Sequence, residues 1–143
     1  MTIFNSLHIS ASGLSLERLK LDTISSNIAN VNTTRTAEGG PYQKKTVVFE
    51  EAFKESVQTI EMGTSRKSFG VRATELVADE TEVREYDPTH PDADAEGYVL
   101  KSNVNMSDEM IDLMAAVRAY ESNITSLEAG KDMLKQALTI SSK

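Results

Sequence analysis

The last third of the chain carries apolar residues at the spacing of a helix that packs along a narrow seam. Between residues 103 and 140, apolar side chains recur at alternating steps of three and four positions, and Lys131 takes one place in the series. The apolar members are Met106, Met110, Leu113, Val117, Tyr120, Ile124, Leu127, Leu134 and Leu138. This is the a/d spacing by which one helix contacts another. Such a helix spans about 50 Å, which exceeds what the core of so small a domain needs.

The ends of this helix carry further signals. Asn105 or Ser107 can cap its first turn, and Asp108 and Glu109 suit the positive end of the helix dipole. Gly130 lowers the helix propensity of the interior by about 1 kcal/mol relative to alanine. We therefore expect the helix around Gly130 to need support from packing.

The first 29 residues predict a second long helix. Leu7, Leu14, Leu21 and Ile28 repeat every seven residues, and Phe4 and Ala11 fill the partner positions of the seam. Further apolar residues lie off this stripe, at Leu16, Leu19 and Ile24. The apolar face is broader than a two-stranded coil needs, which predicts contact with more than one neighbouring helix.

The middle of the chain reads as short strands and turns. Gly39-Gly40-Pro41 predicts a turn. The predicted strands cover residues 42–49, 69–78, 81–86 and 97–100. Residues 50–62 fit either a short helix or a continuation of the preceding strand, and residues 63–68 read as a polar loop. Residues 79–96, rich in Asp and Glu with two prolines, predict a solvated acidic loop around the strand at 81–86.

The predicted fold class is α+β, with long N- and C-terminal helices packed as a coiled-coil-like pair that enclose a small β-rich insert. We assign residues 1–32 and 103–143 to a terminal helical domain. Residues 33–102 form the insert with its acidic loop. The division follows the change from helical seams to short alternating segments.

Composition excludes several function classes. The net charge of −7 opposes binding to phosphate backbones, so we expect no nucleic-acid partner. The chain has no cysteine, which excludes disulfides, zinc–thiolate sites and thiol catalysis. No stretch is apolar for the length that a membrane helix needs. The first 20 residues lack a basic leader and an apolar run, so we expect no cleaved signal peptide.

No group of residues predicts an active site. His8 and His90 are far apart in sequence, and we expect both to be exposed. The acidic segment 87–96 lacks the ligand spacing and central glycine of an EF-hand. Gly39-Gly40 is not followed by the pattern of a phosphate-binding loop. We predict no catalytic residue, cofactor, metal or small-molecule substrate, and hence no enzyme.

Three blocks of sequence together resemble one family. The first helix ends in Ser26-Asn27-Ile28-Ala29-Asn30-Val31-Asn32, and Pro41-Tyr42 precedes Val47-Val48-Phe49. The third block runs from Tyr86-Asp87-Pro88 to Gly97-Tyr98-Val99. The chain is similar in these blocks to the axial proteins of the bacterial flagellar rod, hook and filament. The third block, and the long insert before Pro41, are typical of a proximal rod subunit.

The resemblance implies a structural subunit of the proximal basal-body rod, which assembles through its terminal helices into a hollow drive shaft in the periplasm. The shaft would transmit torque and enclose the export channel. The subunit's partners would be further copies of itself, other proximal and distal rod proteins, proteins at the junction with the membrane ring, and the flagellar type III export apparatus. It would be exported unfolded without signal cleavage. Its terminal helices would order only on assembly.

Two sets of residues are candidates for this role. The assembly interface would be formed by Phe4, Leu7, Ala11, Leu14, Leu21, Ile28, Met106, Met110, Leu113, Val117, Tyr120, Ile124, Leu127 and Leu134. The turn out of the helical domain would be fixed by Asn27, Asn30, Asn32, Pro41, Tyr42, Gly97 and Tyr98, with the asparagines bonding to backbone groups.

Three other interpretations stay open at this point. The chain could be a monomeric helical-hairpin adaptor that binds a partner through its insert, or a subunit of another rod position. An enzyme that works through the acidic loop is the third.

Overall fold

A computed structural model describes residues 3–37, 39–55 and 66–141 of the chain. Two long helices flank a region of four strands. In chain order the elements are α1 (Ile3–Ala29), β1 (Lys45–Glu55), β2 (Arg66–Ala78), β3 (Val83–Tyr86), β4 (Tyr98–Lys101) and α2 (Met106–Ser141). The predicted α+β class, with a small β region between terminal helices, is confirmed. Both helices begin and end within a few residues of their predicted bounds.

Residues 50–55 adopt only one of the two conformations that the sequence predicts for them. Residues 50–55 continue β1, so the short helix is wrong there and the alternative of a continuing strand holds. The apolar spacing around Phe49 fits a helix as well as a strand, and pairing with β2 decides for the strand. The polar loop predicted at residues 63–68 is also wrong for residues 66–68, because β2 already begins at Arg66. Residues 56–65 lie outside the described residues.

The second sheet is a short antiparallel ribbon of β3 and β4. Tyr86 pairs with Tyr98 across it, and their rings meet edge to face with centroids 5.3 Å apart. Val99 is buried, whereas Tyr98 and Leu100 on either side of it are exposed. The final predicted strand is therefore present, with one face toward the core.

The described structure falls into two compact units. The first comprises Met1–Leu19, Val48–Glu75 and Ala116–Lys143, and the second comprises Lys20–Val47 and Leu76–Ala115. Each helix contributes residues to both units. The two units differ in how much apolar surface they bury.

The second unit contains most of the buried apolar side chains among the described residues. These are Ile24, Tyr42, Val47, Val99 and Val104. They come from the end of α1, the segment leading into β1, β4 and the approach to α2. Burial of such side chains is worth about 1.5–3 kcal/mol each for the larger aliphatic ones. This unit therefore has a core of its own.

The first unit buries only Leu16 and Ala116 among its described apolar residues. Its helices approach each other through glycine: a Cβ on Gly13 would lie 2.9 Å from Asn123 Nδ2, and one on Gly130 would lie 2.9 Å from Leu7 Cδ2. Later residues of α2 face earlier residues of α1, as in antiparallel helices. The close contact with Leu7 supplies the packing that the helix around Gly130 was expected to need.

Strand β2 is hydrogen-bonded to α1 in the first unit through Asn5, His8 and Ser12. Ser12 Oγ donates to the carbonyl of Ile9 at 2.7 Å and accepts from the amide of Val71 at 3.1 Å. Gly70 lies directly against this hydroxyl with a φ of +104°. A side chain at residue 70 would be strained in the backbone and would occupy the place of the serine oxygen.

Two turns of the same kind bracket β3 in the second unit. In each, an aspartate Oδ1 accepts hydrogen bonds from both the amide and the hydroxyl of the threonine two residues later, at Asp79/Thr81 and Asp87/Thr89. These bonds, from the threonine hydroxyl first, lower the pKa of both aspartates. Part of the acidic segment is therefore ordered by its own local bonds.

We expect Gly70→Ala to lower the free energy of unfolding by about 2–4 kcal/mol, because the new Cβ would lie 2.0 Å from Ser12 Oγ and 3.2 Å from the Ile9 Cα. Gly39→Ala is the matched control, since Gly39 also has a positive φ but no atom within 4 Å of the added carbon. Urea denaturation of both variants measures the difference. Equal losses would contradict the proposed steric contact.

Candidate assembly interface

The centre of the second unit is the side chain of Asn27, which is almost fully buried. Its Oδ1 accepts from the Tyr42 hydroxyl and from the Lys45 amide, both at 3.0 Å. Its Nδ2 donates to the Lys45 carbonyl at 2.9 Å and to Glu109 Oε2 at 3.0 Å. All four hydrogen-bonding positions of the amide are thus occupied. One side chain connects the end of α1, the start of β1 and the first turn of α2.

The carboxylate of Glu109 is the charged partner in this network. Glu109 is 1% exposed, and its Oε1 lies 2.6 Å from Nζ of Lys44, which is 28% exposed. The hydrogen bond to Glu109 raises the pKa of Lys44, while partial burial opposes the rise and the nearby carboxylates of Glu109, Asp112 and Asp108 add to it. A buried carboxylate is tolerated here because an ammonium group and an amide both bind it.

The other asparagines of the turn behave differently. Asn30 Nδ2 donates to the Ser26 carbonyl at 2.8 Å, and its Oδ1 accepts from the Thr33 hydroxyl at 3.2 Å. Asn32 is exposed, and within the described ranges its side chain makes no such bond. Asn27 and Asn30 thus both bond backbone carbonyls through their side chains, whereas Asn32 makes no such bond within the described ranges.

The remaining residues of the predicted turn set lie around the same unit. Pro41 follows Gly39 and Gly40, both of which have positive φ as the predicted turn requires. Gly97 donates its amide to Asp94 and accepts from the amide of Asp87, which closes the acidic loop onto β4. Tyr98 contacts Tyr86 across the ribbon.

The predicted interface residues divide into two groups by burial. One group is half-buried within the chain's own fold: Leu7, Leu14, Leu21, Ile28, Leu113, Tyr120, Ile124, Leu127 and Leu134. The other group is exposed: Phe4, Ala11, Met106, Met110 and Val117. On α2, one side of the predicted seam is therefore partly buried within the chain's own fold, and the other side is exposed.

Sequence reasoning missed two features of α2. Ile111 and Met114 are exposed apolar residues beside the predicted seam, and Glu109 is buried. The signal for Glu109 was its spacing, because residues 109, 113, 116 and 120 fall on one helical face. Its place in the first turn of the helix favours the dipole interpretation instead.

The exposed face at the start of α2 includes three methionines on successive turns, which we call the methionine ladder: Met106, Met110 and Met114. Their exposed fractions are 50%, 45% and 54%. Residues four apart lie above one another on a helix, so the three thioethers form a continuous strip. Val117, the next apolar residue of the predicted seam, is also exposed and belongs to the first unit.

A cleft of about 370 Å³ lies in the second unit, between β4 and the segments around Arg35 and Asp92. Its carboxylates already have partners within the chain: Asp92 accepts from the Thr34 hydroxyl, and Asp94 accepts from the amides of Glu96 and Tyr98. In the part of the chain that the structure describes, no three His, Asp or Glu side chains are grouped so as to hold a metal ion.

The two histidines take separate structural roles. His8 is exposed and donates from Nδ1 to the carbonyl of Phe69 at 3.0 Å. His90 accepts from the amide of Asp92 within the acidic loop.

Neither described helix has the length and apolarity needed to cross a membrane.

We expect Lys44→Met to lower the free energy of unfolding by about 3 kcal/mol at neutral pH, because it leaves the buried Glu109 carboxylate without its cation. The pKa of Lys44 is raised in the folded chain, so its contribution is complete below the ordinary value of 10.5 and declines as the pH rises above it. The difference between wild type and variant should therefore be constant from pH 7 to 9 and shrink above about 10.5.

Urea denaturation across this pH range measures the difference. Lys45→Met is the control, because the side chain of Lys45 is exposed and its Nζ lies 5.8 Å from the centroid of the Tyr42 ring rather than on the Glu109 carboxylate. A gap for Lys44→Met that persisted unchanged above pH 11 would contradict the assignment.

Comparison with known proteins places this chain in one family. The profile described as "Flagella basal body rod protein" matches residues 7–35, and the one described as "Flagellar basal body rod FlgEFG protein C-terminal" matches residues 95–140. These ranges include Asn27 at the end of α1 and Glu109 in the first turn of α2.

Full-length relatives are similar over almost the whole chain. The flagellar basal-body rod protein FlgC of Bacillus subtilis is 41% identical over 148 aligned positions, which cover 98% of this chain and 99% of the relative. The FlgC of Borreliella burgdorferi is 37% identical, with 98% of each chain covered. That of Salmonella typhimurium is 31% identical, again with 98% of each covered. The chain therefore belongs to the FlgC family of flagellar basal-body rod proteins.

Proposed function

We propose that this chain is a structural subunit of the proximal rod and that it assembles by packing the exposed faces of α1 and α2 against helices of neighbouring rod subunits. The observation that carries the proposal is the methionine ladder with Val117. Membership of a family of basal-body rod proteins supports a structural role. The neighbours would be further copies of this chain and other rod proteins.

The exposure of apolar side chains on both helices supports this mode of assembly. Phe4 on α1 and Met106, Met110, Ile111 and Met114 on α2 are each more than two-fifths exposed. The four residues on α2 are close in sequence on one helix, and an exposed apolar patch of this kind marks an interaction site. Burial against a neighbouring helix would add about 25 cal/mol for each Å² removed from water.

The small core of the first unit supports the same proposal. Only Leu16 and Ala116 are buried apolar residues among its described members, although the unit contains most of both helices. Long helices depend on tertiary packing for most of their stability in water. Neighbouring subunits would supply the packing that the chain does not provide. In this proposal residues 1–32 and 103–143 form the tube, and residues 33–102 lie outside it.

We expect Met110→Asp to reduce incorporation into basal bodies at least tenfold, because a charge that is buried without a partner costs several kcal/mol. Met110 is exposed in the subunit, so the variant should keep its fold. Leu127 is half-buried, and a charge there would test folding as well.

The control is Ala95→Asp, which adds the same charge at an exposed position of the acidic loop. Incorporation is measured by quantitative mass spectrometry of purified basal bodies, and the fold by circular dichroism. Normal incorporation of a folded Met110→Asp protein would refute the proposed interface.

The same proposal includes export of the chain in an unfolded state through the flagellar export apparatus, with the outer parts of both helices only weakly stable in the free subunit and fully ordered on assembly. In the purified monomer, backbone amides of residues 3–19 and 116–141 should therefore exchange with solvent through frequent local opening. Amides of the second unit, which has its own core, should exchange much more slowly. Hydrogen exchange read out by mass spectrometry tests this. Equal protection of both units would indicate a self-contained helical protein instead.

A further inference from the structure

We propose that the methionine ladder is a site of reversible oxidation and that its sulfoxide form prevents the subunit from entering the rod. The first step of the argument is accessibility. Met106, Met110 and Met114 are each about half exposed, so their thioether sulfurs can meet an oxidant dissolved in water. Thioethers react with peroxides to give sulfoxides, and dedicated reductases reverse the reaction.

The reaction needs only hydrogen peroxide as co-reactant. A lone pair of the methionine sulfur attacks one peroxide oxygen, the O–O bond breaks and an S–O bond forms. The departing oxygen leaves as water after taking the proton of the transferred hydroxyl. The sulfur loses two electrons, and the peroxide gains them.

Because the three sulfurs lie on one exposed face of α2, their oxidation would change the polarity of that face. A sulfoxide is polar and accepts hydrogen bonds, so it resists transfer from water to an apolar contact. On a continuous strip, three such changes alter the whole face that a neighbouring helix would cover. Elsewhere on the same helix, Asp108 and Asp112 already carry charge, and an added polar group there would change little.

Assembly would protect the ladder from the same reaction. Once a neighbouring helix covers the thioethers, peroxide no longer reaches them, so the free subunit is sensitive and the assembled subunit is not. This effect on assembly rests on the proposed function, whereas the oxidation of the free subunit does not. The ladder thus distinguishes subunits that were damaged before assembly from those that were not.

Met133 provides an internal control on the same helix. It is 55% exposed, as accessible as the ladder, but it lies about 140° around the helix from Met110. It should be oxidised as readily in the free subunit. Its oxidation should not prevent docking of the face that carries the ladder.

The test exposes cells to a brief pulse of hydrogen peroxide before rod assembly is switched on. Peptide mass spectrometry then compares sulfoxide at each methionine in the unassembled pool and in purified basal bodies. We expect ladder sulfoxide, relative to Met133 sulfoxide in the same sample, to be at least tenfold lower in basal bodies than in the unassembled pool. Equal ratios in the two pools would overturn the proposal.

Two variants separate this proposal from the proposed function. Leucine at all three ladder positions conserves volume and cannot be oxidised, so incorporation should become insensitive to the peroxide pulse. A pulse that still blocked that variant would overturn the oxidation proposal alone. Glutamine at all three positions imitates the polarity of the sulfoxide and should reduce incorporation at least a hundredfold. Normal incorporation of that variant would refute both the oxidation proposal and the proposed interface.

Discussion

The buried carboxylate of Glu109 is the constraint on which the second unit depends. A single carboxylate with 1% exposure is held by Asn27 from α1 and by Lys44 just before β1. Neither partner suffices alone, because the ammonium balances the charge while the amide also fixes the backbone of Lys45. The network thus joins the end of α1, the start of β1 and the first turn of α2. A hydrophobic residue at 109 could fill the space but would leave the Asn27 amide without one of its acceptors.

Each of the two helices has one face that packs within the chain and one face that is exposed. The half-buried face of each helix meets the other within the first unit, with Gly13 and Gly130 at the closest approaches. The exposed face of α2 begins with thioethers, which adapt to neighbours of different shape because methionine is unbranched and flexible.

Sequence patterns predicted the helices, the order of elements and most strands, because heptad spacing and glycine turns act locally. They could not decide the conformation of residues 50–55, because the apolar spacing around Phe49 fits the period of a helix as well as that of a strand. Pairing with β2 determines that these residues form a strand. They also identified Asn27 as a turn residue through a resemblance but gave no hint of its bond to Glu109. That bond joins residues 82 apart in sequence, and no local rule contains it. Which helical faces are covered in the rod depends on neighbours that one chain cannot reveal.

The two aspartate–threonine turns beside β3 have a consequence for the order in which the chain gains structure. Each turn closes over two residues, whereas the Asn27–Glu109 bond closes a loop of 82. Closing a short loop costs less entropy and is faster than closing a long one. A chain that emerges N-terminus first can therefore form these turns while α2 has yet to appear. The Asn27–Glu109 bond can form only after the first turn of α2 has emerged, so its formation marks the point at which all four strands between the helices are already present.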